Sequence, residues 1–408
     1  MQDQQDIVVF GATSFVGQIL THYLWRRHGA GGGLRWALAG RSQGKLQQLR
    51  AELGAGAEAL PLIVADADDE AALRTLCNST RVVVSTVGPY ALFGSALVKV
   101  CAETGTDYCD LTGEVQWIAR MIAAHEATAK RSGARIVHCC GFDSIPSDLG
   151  VHFLEQQARA RFGQPCTSVR LRVKSLRGAA SGGTVASMMN VVQESVKDPA
   201  VRKLMSNPFA LCPGGSSSVR QPNVSFAEYD ADARSWVGPF VMAGINTRVV
   251  HRSNALSASA YGQNFRYDEA MMTGPGLKGR ATAVALATGL AGFLAAAALP
   301  PSRYLLERFV VPKPGEGPSP EAQEKGGYDF RFFGRTESGE AMTVRVTGDR
   351  DPGYGSTGKI LGEAVVCLAL ETPKADVPGG FWTPATVMGE KLRGRLVEHA
   401  GLTFEVLG

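Results

Sequence analysis

The residues Ile7-Val8-Val9-Phe10 run straight into Gly11-Ala12-Thr13-Ser14-Phe15-Val16-Gly17, and an amphipathic stretch follows through about His28. Apolar strand, glycine turn and helix, in that order, form the arrangement that receives a dinucleotide pyrophosphate. Gly11 permits the sharp turn and Gly17 lets the helix pack close to the strand. The first helical turn, with Thr13, Ser14, Phe15 and Val16, points free N–H groups at a phosphate. Ser14 stands where the usual fingerprint has its middle glycine; its hydroxymethyl group crowds the approach slightly but can donate a hydrogen bond. The next apolar run ends in Gly40-Arg41-Ser42, with Lys45 one helical turn beyond, and the first acid after it is Glu52. No carboxylate is therefore placed to accept from a ribose 2′-OH, whereas Arg41, Ser42 and Lys45 can surround a 2′-phosphate. Cations at a helix N-terminus oppose its dipole unless an anion is present. The expected cofactor is NADP(H). Asp66 has two readings, an adenine contact or part of an acidic helix start through Asp69.

A second group of polar residues falls at later strand ends: Ser85-Thr86-Val87-Gly88-Pro89-Tyr90, Asp110-Leu111-Thr112-Gly113-Glu114 and Gly141-Phe142-Asp143-Ser144-Ile145-Pro146-Ser147-Asp148. In a doubly wound fold these ends converge beside the topological switch point, where backbone groups of Val87, Gly88 and Pro89 can meet the nicotinamide ribose. Thr112 to Glu114 also read as a helix cap, and Ser144 to Asp148 as a capped helix start with proline in its first turn.

Positioning these residues requires alternating strands and crossover helices, and from Asp6 to about Arg161 the sequence has that pattern. The expected strands are Ile7–Phe10, Arg35–Ala39, Leu60–Val64, Val82–Thr86, Asp107–Asp110 and Arg135–Cys139, with helices beginning near Phe15, Ser42, Asp69, Gly94, Val115 and Asp148. The fold class is α/β, an N-terminal Rossmann doubly wound parallel sheet of order 3-2-1-4-5-6 over residues 1–165, with a second α+β domain over 166–356. In that second domain Ser168–Leu176 reads as a strand, Thr184–Ser195 as a helix, Ala210–Gln221 as loop, Asp329–Arg335 with Ala341–Thr347 as a hairpin, and Lys313–Gly317 as a linker. Residues 357–408 offer helices Thr357–Leu370 and Ala385–His399 and a strand-like Leu402–Leu407, with their packing on the first domain left open.

Composition narrows the function. The 408 residues are 45% hydrophobic and 20% charged with a formal charge of +4, which fits a soluble globular chain and carries no basic run suited to nucleic acid. The eight cysteines and seven histidines lack metal-ligand spacing, so no metal is expected. The scattered cysteines fit a reduced, cytoplasmic setting, and export is not expected because the start, Met1 to Asp6, is acidic where a signal peptide is basic and then apolar. Ala281–Leu299 contains no charged residue and is nearly long enough to span a bilayer. Leu286, Leu290, Phe293 and Leu294 fall roughly on one face, as expected for one-sided burial. Lys278, Arg280, Arg303 and Arg308 flank the segment. A helix lying against a membrane surface or lining an acyl pocket is expected, in preference to a span; a core helix is the alternative.

As an ensemble, GATSFVG at 11–17, AGRS at 39–42, VGPY at 87–90, DLTGE at 110–114 and GFDSIPSD at 141–148 resemble the saccharopine dehydrogenase-like oxidoreductases, in particular the branch of trans-acting enoyl reductases. The likeness continues through SGGTVAS at 181–187, GYGSTGK at 353–359 and WTPAT at 382–386. It implies a nicotinamide-binding Rossmann domain, a second domain over its catalytic edge, and in the enoyl-reductase branch a role in complex lipid assembly with membrane association. The expected substrate is a small molecule or an acyl chain, free or carrier-bound, and a homodimer is left open.

If the reaction is enoyl reduction, hydride must reach the β-carbon and a donor must stabilise an enolate oxygen before the α-carbon is protonated. Tyr90 is the first candidate donor, with Ser144 and Thr112 behind it and Asp143 or Glu114 as proton-relay or orienting groups. Tyr90 as a pocket-wall aromatic is the competing reading. Reduction of an amino-acid imine, as in saccharopine chemistry, would need cations to grip carboxylates. Arg172, Lys174 and Arg177 are available, although strand alternation favours the solvent face for them. A non-catalytic NADPH-binding, lipid-associated scaffold is the third reading.

Overall fold

The structure is a computed structural model that describes residues 4–31, 33–178, 182–215, 217, 219–309, 321 and 324–407. The linker expected at Lys313–Gly317 lies outside the described residues.

Six strands, β1 (Gln5–Phe10), β2 (Trp36–Gly40), β3 (Leu62–Val64), β4 (Thr80–Ser85), β5 (Asp107–Asp110) and β6 (Arg135–Val137), alternate with helices α1 (Phe15–His28), α2 (Gln43–Glu52), α3 (Glu70–Asn78), α4 (Tyr90–Phe93), α5 (Ser95–Thr104), α6 (Val115–Ser132) and α7 (Ile145–Phe162). They build a parallel sheet of order 3-2-1-4-5-6. Alternation along β1 sends Ile7 and Val9 to one core with Leu20 and Leu24 of α1, and Val8 and Phe10 to the other with Leu73, Leu97 and Trp117. Burial on both faces is what makes these strands continuous apolar runs.

Several element ends differ from the expected ones for local reasons. The Arg35 N–H donates to the Asp6 carboxylate at 3.0 Å, so β2 begins at Trp36. A helical turn at Ala57–Ala59 delays β3 until Leu62. Cys139 has φ +64°, which ends β6 at Val137. Helix α7 starts at Ile145, ahead of the expected Asp148, with Pro146 in its first turn.

The second sheet is mixed. It contains β7 (Cys166–Arg177), β8 (Glu228–Asp230), β9 (Ser235–Pro239), β10 (Arg266–Gly274), β11 (Gly327–Thr336) and β12 (Ala341–Gly348). Two strands follow from the C-terminal part, β13 (Gly380–Trp382) and β14 (Leu402–Val406). The order is β14-β12-β11-β7-β10-β9-β8, with β7 and β10 parallel and the other pairs antiparallel. Strand β13 joins the first sheet beside β6, so the two C-terminal strands serve different sheets. Strands β8, β9, β10 and β13 have no counterpart in the sequence reading; β8 and β13 are three residues each, too short for a periodicity signal.

Helices α8 (Gly182–Lys197), α9 (Pro199–Ser206), α10 (Ala243–Leu256), α11 (Gly276–Ala298) and α12 (Pro300–Phe309) belong to the second domain. The expected tail helices are both interrupted. Thr357–Leu370 is α13 (Thr357–Val366) followed by a π-helical turn at Cys367–Glu371, and Ala385–His399 is α14 (Pro384–Val387) and α15 (Gly389–His399), broken where Gly389 takes φ +44°. Helix α13 lies on α1 because Gly358 and Gly362 carry no Cβ; one added at either position would come within 2.6 Å of Ile19 or Tyr23.

One expectation about the second domain is corrected. Arg172 is buried, not solvent-facing, and its guanidinium bonds Asp230 and Asp268, each at 2.7 Å. The pairing of three charges makes that burial tolerable. In α11 the side packed into the fold is Gly279, Ala283 and Ala287, whereas Leu286 and Leu294 are 36% and 37% exposed. Small residues let the helix approach β9, where a Cβ on Gly238 would lie 3.2 Å from the Ala283 carbonyl. Helix α11 has mean hydropathy 1.8 over 18 residues, and it is long and apolar enough by composition to cross a membrane. However, β10 before it and β11 after it both pair with β7, so the chain returns to the same sheet after the helix.

Candidate functional site

The C-terminal ends of β1, β4, β5 and β6 meet α8 and the start of α10 around a cavity of about 350 Å³. Its floor is Ser14, Phe15, Val16, Gly88, Pro89 and Tyr90. Thr112, Glu114 and Asp143 form one side, and Ser187, Met188 and Ile245 close it from the second domain. Nine positions expected from the sequence to bind cofactor or act in catalysis therefore line a single space.

At the glycine turn, Gly11 has φ +83°, and a Cβ there would meet Val87 Cγ2 at 2.5 Å and Thr86 Oγ1 at 2.9 Å. A Cβ on Gly17 would lie 2.1 Å from the Gly11 carbonyl. Ser14 turns its hydroxyl back onto the helix: Oγ accepts from the Gly17 N–H at 3.0 Å and sits 2.9 Å from Thr86 Oγ1. The crowding expected of Ser14 is thus offset by a helix cap, and the amides of Phe15 and Val16 keep no acceptor among the described residues. Unpaired N–H groups at a helix start that open into a cavity fit a pyrophosphate.

Gly40, Arg41, Ser42 and Lys45 lie at the end of β2, beyond the residues that line the cavity. Ser42 caps α2 by accepting from the Lys45 N–H at 3.4 Å, and the Arg41 and Lys45 side chains are exposed. A Cβ on Gly40 would make only ordinary contacts, 3.7 Å from Leu46 and 3.8 Å from Thr13. Asp66 is exposed, and its carboxylate accepts from the Asp68 N–H at 3.1 Å in a local turn; Asp69 is the cap of α3.

The residues at the catalytic edge divide by what their polar atoms already do. Tyr90 presents its ring to the cavity, but its hydroxyl donates to the Ser85 carbonyl at 3.0 Å. Burial holds its pKa well above the ordinary tyrosine value. Ser144 lies outside the cavity lining, where its hydroxyl donates to Asn246 Oδ1 at 2.9 Å. Asn246 in turn donates to Ser147 and to Glu269 at 3.1 and 3.0 Å, so Ser144 belongs to a buried network between α7, α10 and β10. Glu114 accepts from the Tyr90 and Ala91 N–H groups at 2.8 and 3.0 Å and from the Ser187 hydroxyl at 2.9 Å. It is a buried carboxylate that caps α4 and holds α8 across the cavity.

Thr112 and Asp143 remain. Thr112 Oγ1 accepts from the Glu114 N–H at 3.2 Å, and its own proton has no acceptor among the described residues. The Asp143 carboxyl has no hydrogen-bond partner among them either, and burial raises its pKa to about 6. The sequence reading missed Asp110, which sets this geometry. Its buried carboxylate accepts from the Thr112 and Cys139 N–H groups at 3.1 and 3.2 Å and from the Tyr108 hydroxyl at 3.0 Å, and it contacts His138 Nδ1 at 2.7 Å. Ser187 and Tyr354 were also unassigned, although both lie in motifs that carried the resemblance. Tyr354 packs edge-on against Phe15 at 4.5 Å, and its hydroxyl accepts from the Gly182 N–H at 3.1 Å.

Residues 7–137 match the family described as Saccharopine dehydrogenase NADP binding domain. A Mycobacterium tuberculosis protein named, provisionally, as a trans-acting enoyl reductase is 40% identical over 98% of this chain and 97% of its own length. Proteins of Mycobacterium bovis and Mycobacterium ulcerans named trans-acting enoyl reductase are 38% and 37% identical, over 96% and 97% of this chain and 95% and 96% of theirs. The chain belongs to the saccharopine dehydrogenase-like family, in its trans-acting enoyl reductase branch. A solved structure of apo saccharopine dehydrogenase (L-Glu forming) from Saccharomyces cerevisiae has the same overall fold, with TM-score 0.52, 12% identity and coverage of 99% and 100% of the two chains.

As a member of this family the protein is an oxidoreductase with an NADP-binding domain, and the geometry at Gly11, Phe15 and Val16 fits that cofactor's pyrophosphate. Among the cavity's described lining residues there is no arginine or lysine, and Glu114 and Asp143 are its charged groups. Lys174 and Arg177 are exposed on β7 and line none of it.

Proposed function

We propose that the protein uses NADPH to reduce the carbon–carbon double bond of an enoyl thioester in a lipid or polyketide acyl intermediate. The observation that carries this reading is a cavity walled by Met188, Val191, Ile245 and similar side chains, with one unpartnered carboxyl and no cation among the described residues. An imine bearing amino-acid carboxylates would leave those charges unpaired in such a space, at a cost of several kcal/mol. An acyl chain loses nothing there and gains by burial.

Phe15 and Val16 N–H groups receive the pyrophosphate, and Arg41, Ser42 and Lys45 surround the 2′-phosphate, which favours NADPH over NADH. Passage of the adenosine ribose beside Gly40 accounts for a glycine that contacts within the chain do not require. When bound, the dihydronicotinamide supplies hydride to the substrate β-carbon. The Thr112 hydroxyl donates to the thioester oxygen as it gains enolate charge, a stabilisation of the oxyanion-hole type. Asp143, whose pKa burial raises to about 6, gives its proton to the α-carbon. Tyr90 forms the wall, and Glu114 positions α4 and α8. Deuteride from 4-deuterated NADPH should appear at the β-carbon and solvent deuterium at the α-carbon of the saturated product. Label at a carbon bearing nitrogen, or none in any product, would contradict the assignment.

The exposed apolar side of α11 supports peripheral attachment to a membrane surface. Leu277 and Leu299 are 84% and 60% exposed, Tyr304, Leu305 and Phe309 of α12 are exposed as well, and Lys278, Arg280 and Arg308 are solvent-facing cations nearby. Apolar residues rimmed by cations suit the interface of an anionic bilayer.

A further inference from the structure

The cavity at the catalytic edge adjoins a second space at Val191. Met188, Val191, Met205 and Val241 are shared with this second space, of about 560 Å³ between α8 and α11, bounded further out by Val192, Val196, Leu290 and Leu294. Ser195 and Arg202 are the polar residues of that second lining. The Arg202 guanidinium is held at the end of α8, where it donates to the Ser195 and Val196 carbonyls at 2.9 and 3.0 Å. The space reaches the surface between Val196 and Leu294, which are 52% and 37% exposed. From Ser187 at the inner cavity to Val196 at the mouth, α8 advances about 13 Å.

A third space, of about 600 Å³, shares Met205, Phe240, Leu290 and Leu294 with the second but is also lined by Arg248, His251, Asp268 and Glu269. Apolar chain atoms in that branch would strip water from charged groups, a cost the α8–α11 branch does not impose. The branch between α8 and α11 is therefore the favoured path for an apolar chain.

We propose that the α8–α11 channel is an acyl-chain site, in which the substrate's chain runs from Thr112 and Asp143 past Val191 and Val192 and leaves at Leu294. This deepens the enoyl-thioester reading and rests on it for the identity of the reacting end. The apolar face that α11 leaves uncovered then has a definite role at one point along its length, because Leu290 and Leu294 are at once helix surface and channel wall.

The test is displacement of a fluorescent fatty acid, cis-parinaric acid, from the full chain by saturated fatty acids of increasing length, without cofactor or turnover. Affinity should rise roughly three- to fourfold per added methylene, the value for burying a CH₂ group, and then level off once the channel is filled. Val192→Trp, at a half-buried position that lines the second space and not the first, should weaken long-chain binding at least tenfold. NADPH affinity of the variant reports that it is folded. Val196→Trp at the exposed mouth is a second variant with less demand on packing, and it should weaken long chains more than short ones. Affinity independent of chain length, or long-chain binding unchanged in both tryptophan variants, would overturn the channel. Chain-length-dependent binding in a protein that fails to reduce enoyl thioesters would keep the channel and remove the reaction assignment.

Discussion

Ser187 donates its hydroxyl to Glu114 Oε1 across 2.9 Å, which ties the first helix of the second domain to the end of the fifth Rossmann strand. The same oxygen accepts from the Tyr90 N–H at 2.8 Å, so one carboxylate caps a helix and fixes the cavity roof. Ser187→Ala should remove only the tie, costing about 0.5–1.5 kcal/mol of stability. Its larger effect should be a raised KM for the acyl substrate with unchanged NADPH affinity. Denaturant titration and cofactor titration check the two halves separately; a weakened NADPH affinity would mean that the tie acts on the cofactor domain instead.

Asp143→Asn should lower kcat about 10²–10⁴-fold, the range for a lost general acid. Stability should change little, since the carboxyl has no hydrogen-bond partner among the described residues. The active form is protonated and the pKa lies at about 6, so wild-type kcat should be level below pH 6 and fall above it. The variant's residual rate should lack that fall, as a pH profile of both proteins would show.

Tyr90→Phe separates wall from donor. The hydroxyl already donates to the Ser85 carbonyl, so its loss should cost about 1 kcal/mol of stability and leave the chemical step near wild type. Thr112→Val, which removes the hydroxyl proposed as the donor at the cavity wall, should instead lower kcat about 10²–10³-fold. A Tyr90→Phe variant as slow as Thr112→Val would return the donor role to Tyr90.

Much of this site was legible because its parts sit at the ends of short, continuous apolar runs that alternate with helices. The glycine turn, the three polar strand ends and the missing acid after β2 are local features that a sequence displays directly. What a side chain does with its polar atoms was not legible, because that depends on partners far away in the chain. Ser144 is committed by Asn246, about a hundred residues later, and Tyr90 by a carbonyl on the strand before it. In α11 the alanine and glycine positions that pack on the sheet were not legible either, because that close approach depends on β9, whose strand the sequence did not reveal. Strand β13 escaped notice because three residues supply no periodicity and its pairing partner, β6, is remote in sequence.

Glu155→Gln tests the buried carboxyls that lie away from the site. Burial raises Glu155 to about 8, with Oε2 accepting from the Cys166 N–H at 2.9 Å. A folded pKa above the unfolded one means that the native state binds the proton more tightly, so this contribution is full below about pH 4.5 and is lost as pH rises towards 8. The glutamine keeps an acceptor for Cys166 without a charge to bury. Its Tm should match wild type near pH 5 and exceed it at pH 8; a Tm difference independent of pH would contradict the assignment.

Arg41→Ala should cost about 1.5–3 kcal/mol of NADPH affinity, the range for a charge-assisted hydrogen bond, and leave NADH affinity nearly unchanged. Fluorescence titration of both nucleotides gives the ratio. Undiminished preference for NADPH in the variant would move 2′-phosphate recognition away from the end of β2.

The most direct test of the whole assignment is single-turnover oxidation of protein-bound NADPH, followed at 340 nm after mixing with enoyl thioesters on one side and 2-oxo acids with amino acids on the other. The expected result is rapid oxidation with a long-chain enoyl thioester and none with the 2-oxo acid and amine. Oxidation by the imine-forming mixture alone would contradict the account, since the cavity would then accept the charged substrate that its lining excludes.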